Sequence, residues 1–240
     1  MRIPLLNLKG SWVVIILFLI TSLNVKSQNP GDFRSAQSGN WTQASSWETY
    51  NGATWVNAAT APSSTFSGSV SIRTGHDILF TIVNQSTQFL PNGSVFIEGG
   101  EFKILISSNG NQQYNVSVDH FTLNSGFFIM ESGNNPQLIL RVISSFNING
   151  GFLDYQGGGP NSSFFIDLEG DVTVTAGLLL ISPNLNRSGL YLVGNTTQNI
   201  TITHNISEGA AQRFFIAEGS SHTINEIYNG NDATPQRTVY

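Results

Sequence analysis

Apolar and polar residues alternate along this chain in short bursts, and the bursts return at a fixed interval. Each burst is an alternating run closed by glycine: VSIRTG from Val70 to Gly75, VFIEGG from Val95 to Gly100, FTLNSG from Phe121 to Gly126, FNINGG from Phe146 to Gly151 and VTVTAG from Val172 to Gly177. The starts are separated by 25, 26, 25 and 26 residues. A second series keeps the same beat, with LILRV, FFIDL and LYLVG beginning at Leu138, Phe164 and Leu190. A third apolar stretch follows each glycine directly, as in HDILF from His76, EFKILI from Glu101, FFIM from Phe127, FLDY from Phe152 and LLLI from Leu178. Each repeat therefore predicts about three short strands.

Period-2 alternation puts one face of each strand inward. A single repeat cannot bury that face, but stacked repeats can, with inward side chains aligned in ladders. The glycine at each corner lets the chain bend through positive φ. The predicted fold is all-β: a right-handed parallel β-helix of 25–26-residue rungs, spaced about 4.8 Å apart. Helical solenoids are disfavoured because helical periodicity is absent after the first 27 residues, and propellers because their blades need about 40 residues or more. A β-sandwich is the alternative, since short strands with turn signals also suit it. After about residue 198 the pattern loosens, although ITIT from Ile200, FFIAEG from Phe214 and TINEI from Thr223 still alternate. They predict two further, irregular rungs. The alternation ends at Tyr240 with no amphipathic cap, so the expectation is either a minimal cap or the front piece of a longer protein.

The ends of the chain have different characters. Residues 1–27 read as a signal peptide, with Arg2 and Lys9 before an apolar run from Trp12 to Ile20, and Val25-Lys26-Ser27 at the cleavage positions. The run is shorter than the roughly 20 residues a membrane span needs, and no membrane span is expected after cleavage. The location predicted is secreted or on the outer cell surface. The whole chain has 10 basic and 15 acidic residues. Cleavage would remove three of the basic ones and none of the acidic, changing the formal charge from −5 to −8. Charged residues make up only 10%, and Asn, Ser, Thr, Gln and Gly supply most of the polar surface. Such a surface disfavours nucleic acid and anionic lipid and suits extracellular polysaccharide or cell-surface components. The absence of cysteine removes disulfides, thiolate metal sites and a cysteine nucleophile.

Residues 28–66 form a separate, aromatic-rich segment, read as an N-terminal cap preceding rungs over 67–240. It carries Phe33, Ser-Gly-Asn-Trp41, Trp47, Tyr50 and Trp55, and leads into Ile72-Arg-Thr-Gly-His76. Over roughly residues 33 to 80 this resembles the N-terminal region of large secreted surface proteins of Bacteroidetes-type bacteria. In those proteins a Ser-Gly-Asn-Trp, a second Trp and a Gly-His turn open a β-helix. The resemblance implies export, often by a type IX system, and adhesion. A C-terminal sorting domain usually accompanies that route, and none is found in this sequence.

Candidate chemistry is sparse. Trp41, Trp47 and Trp55 are the ligand-binding candidates, because flat indoles stack on sugar rings; as cap residues they would instead fill the open first rung. Asp167, Glu169 and Asp171 place three carboxylates at alternate positions, a candidate metal site for calcium, the one cofactor considered, which wants several oxygens. The other reading of these three is a charged edge that discourages stray strand pairing. Glu98 and Glu101 flank a Gly-Gly turn as a carboxylate pair of the glycosidase kind. His76, His120, His204 and His222 are scattered singly, without metal-ligand spacing. No catalytic residue is assigned. The expectation is a non-catalytic extracellular or cell-surface β-helix with a structural or adhesive role. A carbohydrate-binding module and a polysaccharide lyase or hydrolase are the alternatives.

Overall fold

The computed structural model describes residues 28–83, 88–90, 92–107, 112–133, 135–157, 162–181, 189–193, 198–202, 213–216, 222–227 and 236–239. The segment read as a signal peptide, 1–27, lies outside them, as does His204. Side chains beyond Thr201 are not described. Among the described residues no helix is long and apolar enough to cross a membrane.

The chain opens with β1 (Phe33–Ser35), β2 (Gly39–Asn40), a 3-10 turn at Ala44–Ser46, β3 (Trp47–Tyr50) and β4 (Trp55–Asn57). The repeats then supply β5 (Ser69–Ile72), β6 (Asp77–Ile82), β7 (Gln88–Phe89), β8 (Ser94–Ile106), β9 (Gln113–Ser132) and β10 (Gln137–Ile148). They continue with β11 (Phe152–Gly157), β12 (Ser163–Leu168), β13 (Asp171–Val174), β14 (Leu178–Ile181) and β15 (Gly189–Leu192). The last strands are β16 (Gln198–Ile202), β17 (Arg213–Ile216), β18 (His222–Ile227) and β19 (Gln236–Val239).

These strands stack into three parallel columns, one for each of the three sequence series. The first runs β1, β5, the start of β8, the middle of β9, the end of β10, β13, β16 and β18. The second runs β2, β6, the end of β8, the end of β9, β11 and β14. The third runs β7, the starts of β9 and β10, then β12, β15, β17 and β19. Every pairing between successive rungs is parallel, which replaces the sandwich alternative with a solenoid. The sole antiparallel pairs among the described residues are β1–β3 and β3–β4.

Inward residues fall into register because the repeat is nearly constant. Val70, Val95, Phe121, Phe146 and Val172 form one buried ladder, and Leu140, Ile166 and Leu190 form another, with Leu138 on Phe164 beside it. Phe121 stacks on Phe146 with ring centroids 5.6 Å apart. Tyr155 stacks on Phe164 at the same separation, joining the second column to the third inside the coil. The core is thus one continuous apolar column, and the outer faces carry mostly polar side chains with a few exposed apolar ones such as Phe127, Ile143 and Phe152.

The corner after the first column shows why glycine recurs. Gly126 has φ +86°, and a Cβ there would lie 2.1 Å from the carbonyl oxygen of Gly100 in the rung before. Two backbones approach there closer than any side chain allows. Gly75, Gly151 and Gly177 repeat the positive φ at the same corner; in the second rung it falls on Gly99.

The N-terminal segment covers the open end. β1 and β2 already belong to the first and second columns, so the stack begins inside the segment 28–66. The β3–β4 hairpin then lies along the free edge of β1. An exposed sheet edge is a template for stray pairing, and this hairpin occupies it.

Candidate functional site

Two of the three tryptophans are enclosed. Trp41 is 3% exposed and Trp47 1%. Trp41 packs edge-on against Trp47 at 4.9 Å and reaches down to Phe80 and Phe102 of the coils beneath. The Trp47 indole N–H donates to the Trp41 carbonyl at 2.8 Å, and the Trp41 N–H donates to the Pro62 carbonyl at 3.2 Å. With ring faces and polar edges both occupied, Trp41 and Trp47 have no surface on which a sugar could stack. They plug the first coil. Trp55 differs: it is half-buried on β4, beside Tyr50, with the Arg34 guanidinium 4.4 Å from its ring centre. Arg34 is held there by Glu48 at 2.7 Å.

The three carboxylates of the 167–171 segment do not converge. Asp167 and Glu169 project from the third column, whereas Asp171, past the Gly170 corner, opens the first. Glu169 pairs with the Arg141 guanidinium of the preceding rung. Asp171 accepts from the backbone N–H of Asn199 at 2.8 Å and from its side-chain amide. The calcium reading fails on this geometry, because the corner turns the third ligand away and the second is held by a cation. Among the described residues no three of His, Asp and Glu are placed to share a metal ion.

Glu98 and Glu101 are likewise parted. Glu98 accepts from the Asn124 amide at 2.9 Å on the first-column side. Glu101 opens the second-column stretch of β8 and lies 3.7 Å from Lys103, which also pairs with Glu131 at 3.1 Å. His76 bonds to the Ser35 hydroxyl at 2.8 Å, tying the first repeat to the N-terminal segment. His120 bonds to Ser145 at 2.8 Å and lies 3.3 Å from Asp119.

The outer faces differ in kind. Along the first-column corner runs a hydrogen-bonded polar ladder: Asn124 donates to Glu98, Asn149 to Asn124 at 2.8 Å, and Thr175 to Asn149 at 3.3 Å. On the second column Phe127 and Phe152, 45% and 38% exposed, stack at 5.0 Å with planes 14° apart, so each covers a face of the other. The third column combines both characters. Its register aligns Arg141, Asp167 and Tyr191 on successive rungs, with Phe165 two residues before Asp167. Phe165 and Tyr191 meet at 4.9 Å, edge to face. Partial burial pushes the Asp167 carboxyl up to about 6, against the pull of Arg141 and helped by the charge of Glu169.

This cluster brings together an aromatic pair, a cation and two carboxylates on one outer face. Sequence reading found Asp167 and Glu169 but not Arg141, Phe165 or Tyr191. The repeat held part of the signal: a step of 26 places Arg141 beside Asp167, whereas Tyr191 lies only 24 residues beyond it, so the regular step points to Val193 instead. Comparison with protein-family models, with curated proteins and with solved structures finds no match to this chain.

Proposed function

We propose that this chain is a non-catalytic extracellular or cell-surface β-helix with a structural, adhesive role. The observation that carries this reading is the treatment of the outer faces. Side chains on them are spent on one another along the long axis, as in the Glu98–Asn124–Asn149–Thr175 ladder, which stiffens a rod. Of the carboxylates considered as catalytic or metal-binding, Glu169 is engaged by Arg141, Asp171 by Asn199 and Glu98 by Asn124 of neighbouring rungs, and Glu101 by Lys103 of its own strand. The apolar run at Trp12–Ile20 supports export, and the resemblance over residues 33 to 80 supports a Bacteroidetes-type surface protein. A role as a carbohydrate-binding module through the tryptophans rests on Trp55 alone, since Trp41 and Trp47 are enclosed.

The test is protease shaving of intact source cells followed by mass spectrometry. Peptides from the repeats are expected in the shaved fraction and in the medium. Their recovery only after lysis would sink the extracellular reading.

A further inference from the structure

We propose that the outer face of the third column, at Arg141, Phe165, Asp167, Glu169 and Tyr191, is a binding subsite for a neutral polysaccharide chain. The proposal builds on the adhesive reading and names the surface that would do the adhering.

A sugar ring offers an apolar C–H face and a rim of hydroxyl groups that both donate and accept. Binding it takes an aromatic surface beside planar polar groups. The Phe165–Tyr191 pair supplies the first. Their edge-to-face packing leaves the rings at an angle, so they do not cover each other in parallel as Phe127 and Phe152 do. Asp167 supplies the second, one position away on either side: it follows Phe165 by two residues on one strand and lies in register with Tyr191 on the next. The cluster spans β10, β12 and β15, three rungs and thus about 10 Å along the axis.

Charge selects the class of polymer. The Arg141 guanidinium is paired with Glu169, so the remaining carboxylate of Asp167 leaves the cluster with a net negative charge. A uronate or sulfated chain would meet repulsion there, whereas neutral hydroxyls can donate to both carboxylates. Asp167 also gains from such donors, because a carboxyl withdrawn from water is short of hydrogen bonds.

The other outer surfaces fit less well. The Asn124–Asn149–Thr175 ladder lacks an aromatic surface, and Trp41 and Trp47 are enclosed. Trp55 carries a guanidinium over its ring.

The experiment is native affinity electrophoresis of the full chain in gels containing hydroxyethylcellulose, glucomannan, xylan or polygalacturonate. Retardation by at least one of the three neutral polymers, and none by polygalacturonate, is expected. Asp167→Asn and Arg141→Ala should each weaken that retardation roughly tenfold, the size of one lost charge-assisted contact, and Tyr191→Ala should weaken it at least as much by removing the aromatic surface. Trp55→Ala should leave it unchanged. Arg141 is exposed, so its variant keeps the test valid if Tyr191→Ala unfolds; circular dichroism identifies that case. No retardation by any neutral polymer, retardation by polygalacturonate alone, or full retardation of the Arg141 and Asp167 variants would each overturn the proposal. Loss in Trp55→Ala alone would also overturn it by moving the site to the N-terminal hairpin. None of these results bears on surface exposure, which the shaving experiment reads separately.

Discussion

At Asp167 a carboxyl group lies in register between Arg141 on one rung and Tyr191 on the next. Withdrawal from solvent outweighs the attraction of the guanidinium, so protonation is favoured in the folded chain up to about pH 6. The sign of the stability effect follows from linkage. The unfolded carboxyl ionises near pH 3.8, before the folded one does. Between pH 4 and 6 the unfolded state therefore binds fewer protons at this site, and stability falls as pH rises through that window. The full effect is at most about 3 kcal/mol, and smaller because part of the carboxyl faces solvent. Asp167→Asn removes this titration. Urea midpoints measured from pH 4 to 7 should show the wild type losing ground to the variant across the window and holding a constant difference above it. Parallel curves would mean that the carboxyl is solvated like any surface aspartate. The tryptophans make a different point at the same scale. Their residue type and clustering were legible in the sequence, and so were both of their possible uses. Which use each serves depends on long-range partners: Phe80 and Phe102 beneath Trp41, and the Pro62 carbonyl beside it. No local pattern encodes those.

The strand columns were legible because the physics that builds them is periodic. Steps of 25 or 26 residues bring most like positions into register, so the sequence series and the structural columns largely coincide; the step is 24 residues from Asp167 to Tyr191 and 28 from Val172 to Ile200. Strand length was not legible. The sequence suggests three short strands in each repeat, yet β9 runs from Gln113 to Ser132 and contributes to all three columns. Its ladder pairing continues past two corners, one of them made at Gly126 by a positive φ. Contacts that run diagonally were also hidden: Arg141 pairs with Glu169, 28 residues on, whereas its register partner is Asp167. The corner glycines allow a graded test of this geometry. Gly75 and Gly126 share a positive φ, +78° and +86°, but a Cβ at Gly75 would meet nothing within 4 Å, whereas at Gly126 it would strike the Gly100 carbonyl. Gly75→Ala should lose only the cost of the backbone conformation, about 1–2 kcal/mol. Gly126→Ala should lose that and the displacement of a paired backbone, about 2–3 kcal/mol more in view of typical overpacking costs. Equal losses in urea unfolding would mean that the rungs are free to separate at this corner.

Taken whole, the molecule is close to one-dimensional: each rung touches the rungs before and after it, and the apolar core runs unbroken from Trp47 to Ile200. In such a stack stability is a sum of rung terms and nearest-neighbour interfaces, so damage at one end should stay near that end. Trp47 is the place to inflict it. Its ring closes the first coil against Trp41, and its N–H bonds to the Trp41 carbonyl. Trp47→Ala should cost about 3–5 kcal/mol locally, as large aromatic deletions in packed sites do. Amide hydrogen exchange should then show lost protection in β1, β3 and β5, a smaller loss in β6, and native protection in β10, β12 and β13, which lie several rungs away. A uniform loss, with β12 opening as readily as β5, would mean that the solenoid unfolds as one cooperative unit. In that case the N-terminal segment holds the whole rod together, and the plug of two tryptophans matters to the far rungs as much as to the first.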